Sequence, residues 1–152
     1  MTYSLNSFLV ALLISMFGLA LTGPAHAQDR ADTTADEVFV VVSSGEAQTQ
    51  MMAMVLATQM KAKGASVRIL LCDAGGTLAV EGASFPTFKP ANRGPQELLQ
   101  GLMQKSTTVE VCAIFLPNTE YEQSDLLDGI SVAKPGPVAE YMMKPNVRYF
   151  TF

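Results

Sequence analysis

Continuous apolar runs alternate with segments of helical periodicity along most of this chain. Val38–Val42 is rich in β-branched residues, and such a run predicts a strand buried on both faces. Val67–Cys72 is a second run of the same kind. Between them, Thr49–Lys63 predicts a helix whose inner face carries Met52, Val55, Leu56, Gln59 and Met60. A strand, a helix and a strand within about 35 residues form a βαβ unit, so the two strands should be parallel with a right-handed crossover.

The second half of the chain continues this alternation with shorter elements. Prolines make segment 85–94 irregular, and Pro95 is placed to begin a helix that runs to Lys105, with Leu98, Leu99, Leu102 and Met103 facing inward. Val109–Ile114 predicts the third strand. The remaining predictions are a helix or extended segment Thr77–Glu81, a Ser124-capped helix Asp125–Asp128, a strand Ile130–Val132, a helix Pro137–Met143 and a strand Val147–Phe152. Together these elements predict a three-layer α/β/α domain.

The amino-terminal segment is typical of a secretory signal peptide. The apolar run Phe8–Leu21 is shorter than the ~20 residues that span a bilayer, and Ala25-His26-Ala27 offers small residues for cleavage after Ala27. We therefore expect a signal peptide at 1–27, a flexible lead-in at 28–36 and a domain at 37–152. The expected location is the periplasm, with no stable membrane insertion once the signal is removed. No Lys or Arg precedes the apolar run, so an uncleaved anchor that faces the periplasm is the alternative.

Charge and histidine content exclude several classes of function. The formal net charge is −4 with no basic run, so the chain lacks the electrostatic footprint of a nucleic-acid-binding protein. The single histidine, His26, lies in the expected signal peptide. Its removal excludes a Ser-His or Cys-His hydrolase and a Cys/His zinc site within one chain. We expect no cofactor.

The two cysteines are the strongest candidates for chemistry. Cys72 and Cys112 fall at the carboxyl ends of predicted strands, the sheet edge where ligand sites form in α/β proteins. If those strands are neighbours, their spacing of about 4.8 Å brings the cysteines within reach of each other. The functional interpretation is a reactive thiol at Cys112, with Cys72 as its resolving or disulfide partner and with Lys89 or Arg93 lowering the pKa of Cys112. The alternative is two small buried residues without a chemical role.

Two further groups of side chains and one turn each have both a functional and a purely structural interpretation. Thioether sulfurs on one predicted helix could bind Cu(I) together with a thiolate, although methionine also fills cores; these are Met51, Met52, Met54 and Met60. An acidic cluster could attract Ca²⁺, but its spacing is not that of an EF-hand, and a solvated loop with a helix cap explains it better; its members are Glu120, Glu122, Asp125 and Asp128. The turn Ser43-Ser44-Gly45 could cradle an anion, but it lacks the glycine pattern and the lysine of a phosphate loop.

Several of these segments resemble the DsrE/DsrF-like family. The stretch Val109–Asn118 followed by Asp125–Val132 is the most specific part, and Leu70–Gly76 and Val147–Phe152 are also similar. The resemblance covers Glu37–Phe152. It implies a parallel five-stranded sheet between helices, with the first three strands adjacent, and assembly into trimers or hexamers. It also implies a persulfide carried on the cysteine that matches Cys112 and passed to another protein.

The residues and the resemblance lead to one main hypothesis and two alternatives. The main hypothesis is an exported DsrE-like sulfur carrier or thiol-redox protein, acting through Cys112 on a sulfur donor and an acceptor protein that the sequence does not identify. One alternative is a non-catalytic oligomeric binding protein with structural cysteines. The other is a Cu(I)-binding protein. Whether the protein is an enzyme is left open by the sequence.

Overall fold

A computed structural model describes residues 37–152 of the chain, and the expected signal peptide 1–27 and lead-in 28–36 lie outside the described residues. The strands are β1 (Glu37–Val42), β2 (Ser66–Leu71), β3 (Thr108–Val111), β4 (Ser131–Val132) and β5 (Val147–Thr151). The α-helices in this part of the chain are α1 (Ala47–Ala62), α2 (Pro95–Met103) and α3 (Pro135–Met142). Short 3₁₀ helices cover Asp73–Ala79, Leu116–Asn118 and Gln123–Asp125.

All five strands form one parallel sheet in the order β4-β3-β2-β1-β5. β1 and β2 are neighbours with Val42 opposite Leu71, and β2 and β3 are neighbours with Leu71 opposite Val111. The βαβ unit predicted at the start of the domain is therefore present, and so is the adjacency of the first three strands. The carboxyl ends of β1, β2 and β3 consequently meet at one edge of the sheet.

Helices cover both faces of this sheet. Successive residues of a strand point to opposite faces, so Phe39 and Val40 lie on opposite faces of the sheet. Val40 belongs to a buried cluster with Met54 of α1 and Leu99 of α2, whereas Phe39 belongs to a second cluster with Val138 of α3. The predicted three-layer α/β/α architecture is confirmed.

The predicted inner face of α1 is wrong for Met52 and Leu56, although Met60 packs against the core. Met52 is 53% exposed and Leu56 is 40% exposed, while the buried residues of this helix are Gln50, Ala53, Met54 and Ala57. The apolar residues are distributed almost all around the helix, so periodicity alone did not distinguish its faces. The small side chains at positions 53 and 57 instead let the helix lie close to the strands beneath it.

A partly buried ion pair lies on the α3 side of the sheet. Arg68 of β2 donates from Nε to Oε2 of Glu110 on β3 at 2.8 Å, and the two side chains are only 16% and 13% exposed. The Arg68 guanidinium also lies over the Tyr141 ring of α3, 4.7 Å from its centroid. These contacts join two neighbouring strands to α3.

Several predicted boundaries shift. β3 ends at Val111 rather than Ile114, because the chain turns at Cys112 and the Phe115 amide donates to the Cys112 carbonyl. α3 begins at Pro135 rather than Pro137, and Thr77 lies within the first 3₁₀ helix. The predicted Ser124-capped helix is wrong: Glu122 caps a 3₁₀ turn at Gln123–Asp125 instead. Within residues 37–152, no helix has the length and apolar character needed to cross a membrane.

Candidate functional site

The two cysteines are adjacent at the carboxyl edge of the sheet. Cys72 directly follows β2 and Cys112 directly follows β3. The amide of Cys72 donates to the Val42 carbonyl at 2.8 Å, and the amide of Cys112 donates to the Leu71 carbonyl at 2.8 Å. These bonds continue the parallel ladder one step beyond the strands, so the neighbour relation expected from the sequence is present.

Both thiols are free, partly buried and open to one cleft. The cleft has a volume of about 620 Å³. Its wall combines side chains from the loops after β2 and β3: Cys72, Asp73, Ala74, Thr77, Cys112, Ile114, Phe115, Asn118, Thr119 and Tyr121. A space of this size accommodates a small molecule or the tip of a partner's loop.

The wall beside Cys112 is built by a turn and an aromatic pair. The Phe115 amide donates to the Cys112 carbonyl at 2.9 Å, and the Asn118 side-chain amide donates to the Ile114 carbonyl at 2.7 Å. The Phe115 ring stacks on Tyr121, with 6.0 Å between the ring centroids. Ile114 itself is 70% exposed, which leaves an apolar side chain at the rim of the cleft.

Two glycines allow the loop after Cys72 to lie against this wall. A Cβ at Gly76 would overlap the Phe115 ring, and a Cβ at Gly75 would overlap the carbonyl oxygen of Val42. Asp73 has a φ of 47°, in the left-handed region, so the chain turns sharply directly after Cys72. The loop and the Phe115 wall therefore depend on the absence of side chains at positions 75 and 76.

The Cys72 thiol keeps its proton well above neutral pH. Burial is the largest cause that raises the pKa of Cys72, from 9.0 to about 12. A side-chain hydrogen bond with Cys112, the charge of Cys112 and the charge of Asp73 raise it further in that order. Burial and neighbouring negative charge both disfavour a thiolate. Cys72 is therefore the natural donor in the hydrogen bond between the two thiols.

The basic residues expected beside Cys112 do not line the cleft. Arg93 instead pairs with Glu97 at 3.3 Å on the surface of α2, and Lys89 is exposed in the irregular segment. Among the cleft-lining residues that the structure describes, none is Lys or Arg, and Asp73 carries the one carboxylate. Lys89 and Arg93 therefore do not line the cleft beside Cys112, contrary to the expectation from the sequence.

The other candidates from the sequence lie apart from the cleft. The four methionines of α1 are absent from its lining, and Met54 is fully buried in the core. No three His, Cys, Asp or Glu side chains are grouped as a metal site anywhere in residues 37–152. Glu122 and Asp125 cap each other's backbone, which agrees with the structural interpretation of the acidic cluster. The amides of Ser43 and Ser44 both donate to the Phe152 carbonyl, so this turn is already occupied by backbone.

Comparisons with known proteins identify the fold. No protein-family model and no curated protein matches the chain. The structure is similar to the YchN protein from E. coli, with a TM-score of 0.64 and 16% identity over 76% of this chain and 97% of that chain. It is also similar to MTH1491 from Methanobacterium thermoautotrophicum, a protein of unknown function, with a TM-score of 0.57 and 15% identity over 76% and 97% of the two chains. The chain has a YchN-like fold. At these identities the likeness extends to the fold alone.

Sequence reasoning found both cysteines and missed most of the wall around them. Asp73 directly follows Cys72, so its place at the same sheet edge could have been inferred from the predicted strands. Phe115 and Tyr121 offer no such signal, because their positions depend on how the chain turns after β3. Gly75 and Gly76 are visible in the sequence, but their close approach to Val42 and Phe115 is a tertiary contact that a single sequence does not show.

Proposed function

We propose that this chain is an exported sulfur carrier of the DsrE/DsrF-like type, in which Cys112 accepts a sulfane sulfur and holds it as a persulfide. The observation that carries the proposal is the pair of free thiols that share one open cleft at the carboxyl edge of a parallel sheet. The five-stranded parallel sheet between helix layers, which the sequence resemblance implies, is also consistent with it. Thiolate chemistry of this kind requires no histidine partner.

The loading step is a thiol displacement. The Cys112 thiolate attacks the outer sulfur of a donor persulfide, R–S–SH, and the sulfur–sulfur bond of the donor breaks. A new sulfur–sulfur bond forms in Cys112–S–SH, and the electron pair leaves on R–S⁻, which takes up a proton. An acceptor thiolate then attacks the same outer sulfur and releases the Cys112 thiolate. Neither step needs an external oxidant, because both follow thiol–disulfide exchange.

Cys72 would protect this persulfide rather than resolve it. A Cys72 thiolate could attack the inner sulfur of Cys112–S–SH, release HS⁻ and leave a Cys72–Cys112 disulfide. Burial, the largest cause of the raised pKa of Cys72, remains when Cys112 carries a persulfide and keeps the Cys72 thiol weakly nucleophilic at neutral pH. Its S–H group instead donates a hydrogen bond to the Cys112 sulfur. The same adjacency also suits thiol–disulfide exchange with a partner protein, which is the second candidate function.

The proposal includes export and self-assembly. Cleavage after Ala27 would release the domain into the periplasm, where its donor and acceptor must also lie. The resemblance implies trimers or hexamers, and a contact between copies is supported by exposed apolar side chains at the end of α3 and on β5: Met142 and Met143 are exposed, and the Tyr149 hydroxyl donates to the Met142 carbonyl beside them. An exposed apolar patch of this kind is typical of a protein contact. Light scattering of the purified protein measures the assembly.

A loading experiment tests the proposed role. Reduced protein is mixed with an alkyl persulfide and its intact mass is measured, beside the matched variants Cys112→Ser and Cys72→Ser. A gain of one sulfur atom in the native protein and in Cys72→Ser, lost on reduction and absent in Cys112→Ser, supports the carrier. Prompt formation of a Cys72–Cys112 disulfide without a stable persulfide favours thiol–disulfide exchange. An unreactive Cys112 overturns both and leaves the non-catalytic binding protein.

A further inference from the structure

The charge of the residues that line the cleft affects which sulfur donors can react at Cys112. Among the lining residues that the structure describes, Asp73 is the one with a charged side chain, and it directly follows Cys72. The other polar groups in the wall are neutral, on Thr77, Asn118 and Thr119. Arg93, which the sequence placed near the thiol, is paired with Glu97 outside the cleft. Nothing among these described residues balances the Asp73 carboxylate.

The negative potential of Asp73 affects both the approach and the departure of a donor. An anionic donor is repelled as it approaches the thiolate, and its leaving group gains further negative charge during displacement. Thiosulfate is the extreme case, because the leaving group is the sulfite dianion. A thiol persulfide leaves a thiolate that takes up a proton, so no lasting charge is added to the cleft. The apolar side chains of Ile114, Phe115 and Tyr121 favour carbon-rich groups on the donor.

We infer that the cleft selects donors whose reacting sulfur is flanked by uncharged or cationic groups, such as a thiol persulfide on a peptide or protein, and discriminates against small sulfur oxoanions such as thiosulfate. The inference rests on the proposed reaction at Cys112 and adds its substrate class. The residues that carry it are Asp73, through its carboxylate, and those of the apolar wall. In the loading step the sulfur–sulfur bond of the donor breaks, one forms at Cys112, and the donor's thiolate or sulfite departs with the electron pair, the thiolate then taking up a proton.

Charged disulfide probes measure this selectivity without depending on sulfane transfer. The Cys72→Ser variant leaves Cys112 as the single thiol, and each probe forms a mixed disulfide with it. Cystamine is cationic, bis(2-hydroxyethyl) disulfide is neutral and dithiodiglycolate is anionic. Each rate is divided by the rate for the same variant unfolded in urea, which removes the intrinsic reactivity of the probe.

We expect folded protein to favour the cationic over the anionic probe by about tenfold, at about threefold for each unit of charge on the half of the probe that enters the cleft, which differs by two units between these probes. The ratio should shrink at about 1 M salt, where screening extends over only a few ångströms. Asp73→Asn should remove most of this preference and bring the ratio close to one, and asparagine tolerates the left-handed φ at this position. Asp128→Asn is the matched control, because Asp128 is exposed and outside the lining, so the ratio should be unchanged.

Two results would overturn the inference. One is an anionic probe that reacts as fast as the cationic probe in the folded protein. The other is a preference that Asp73→Asn and Asp128→Asn change equally, since that would assign it to net charge rather than to the cleft. A second arm compares thiosulfate with an alkyl persulfide by intact mass. Equal loading by both refutes the selectivity while leaving the carrier role intact, whereas loading by neither refutes the carrier role itself.

Discussion

Cys72 should react with iodoacetamide far more slowly than an ordinary cysteine. Only the thiolate is alkylated, so the rate follows the fraction of thiol that has lost its proton. At pH 8 about a tenth of a thiol with a pKa of 9.0 is thiolate, but only about one part in ten thousand is thiolate when the pKa is about 12. We therefore expect Cys72 in the folded protein to be alkylated about 1,000-fold more slowly than in the unfolded chain.

Substitution of Cys112 separates the causes of this protection. Cys112→Ala removes the side-chain hydrogen bond and the neighbouring charge but leaves the burial of Cys72 largely in place. Because burial is the largest cause, the pKa of Cys72 should fall in this variant and still exceed 9.0. Cys112→Ser, which keeps a hydrogen-bonding group without a thiolate, should give an intermediate value.

Peptide mass spectrometry after short pulses of iodoacetamide reads the two cysteines separately. Pulses from pH 7 to about 10 are quenched, the protein is digested, and the modified fraction of the Cys72 peptide is compared with that of protein unfolded in urea. The reasoning is refuted if folded Cys72 is labelled at the unfolded rate, or if its rate levels off at an apparent pKa of 9.0 or below. An increase in the Cys72 pKa in Cys112→Ala would refute the assignment of the hydrogen bond and the charge as causes.

Three further predictions concern stability, each measured by urea or pH-dependent unfolding. Gly76→Ala should destabilise the fold by about 1–3 kcal/mol, because the new methyl group overlaps the Phe115 ring. In the control Gly101→Ala, the new methyl group on α2 meets no atom within 4 Å, so this substitution should stabilise the fold by up to about 1 kcal/mol. Equal effects of the two substitutions would contradict this contrast. Glu110→Gln breaks a partly buried ion pair and should cost about 2–3 kcal/mol, while the exposed pair lost in Glu97→Gln should cost under about 0.5 kcal/mol. Because the folded pKa of Cys72 lies above its unfolded value, stability should fall as pH rises from about 9 toward 12, and a Cys72→Ala variant with an unchanged slope would contradict that assignment.

The strands were predictable because their apolar runs are short, β-branched and separated by turns. β1 and β2 were located to within one residue at either end, and their parallel pairing followed from the helix between them. The face of α1 was not predictable, since the burial of Ala53 rather than Met52 depends on how closely the helix lies on the sheet. The end of β3 was missed for a similar reason: Ala113 and Ile114 continue the apolar run, but the backbone has already turned at Cys112.

The part of the site that lies directly at the strand ends was predictable. Cys72 and Cys112 come together because adjacent parallel strands end at one edge, which the sequence pattern already indicated. Their electrostatic surroundings were not predictable in the same way. Arg93 is close to neither cysteine, whereas Asp73 is, and this reversal changes the sign of the charge beside the thiols. The Phe115–Tyr121 wall is a tertiary contact that single-sequence patterns do not encode.

The state of Cys112 in the protein isolated from cells tests the carrier role most directly. The protein is isolated from cells without reductant, and its intact mass is measured before and after reduction beside the Cys112→Ser variant. The predicted result is a species heavier by one sulfur atom that disappears on reduction and is absent from the variant. A stoichiometric Cys72–Cys112 disulfide that resists reduction, with no persulfide at any time, would contradict the proposed carrier.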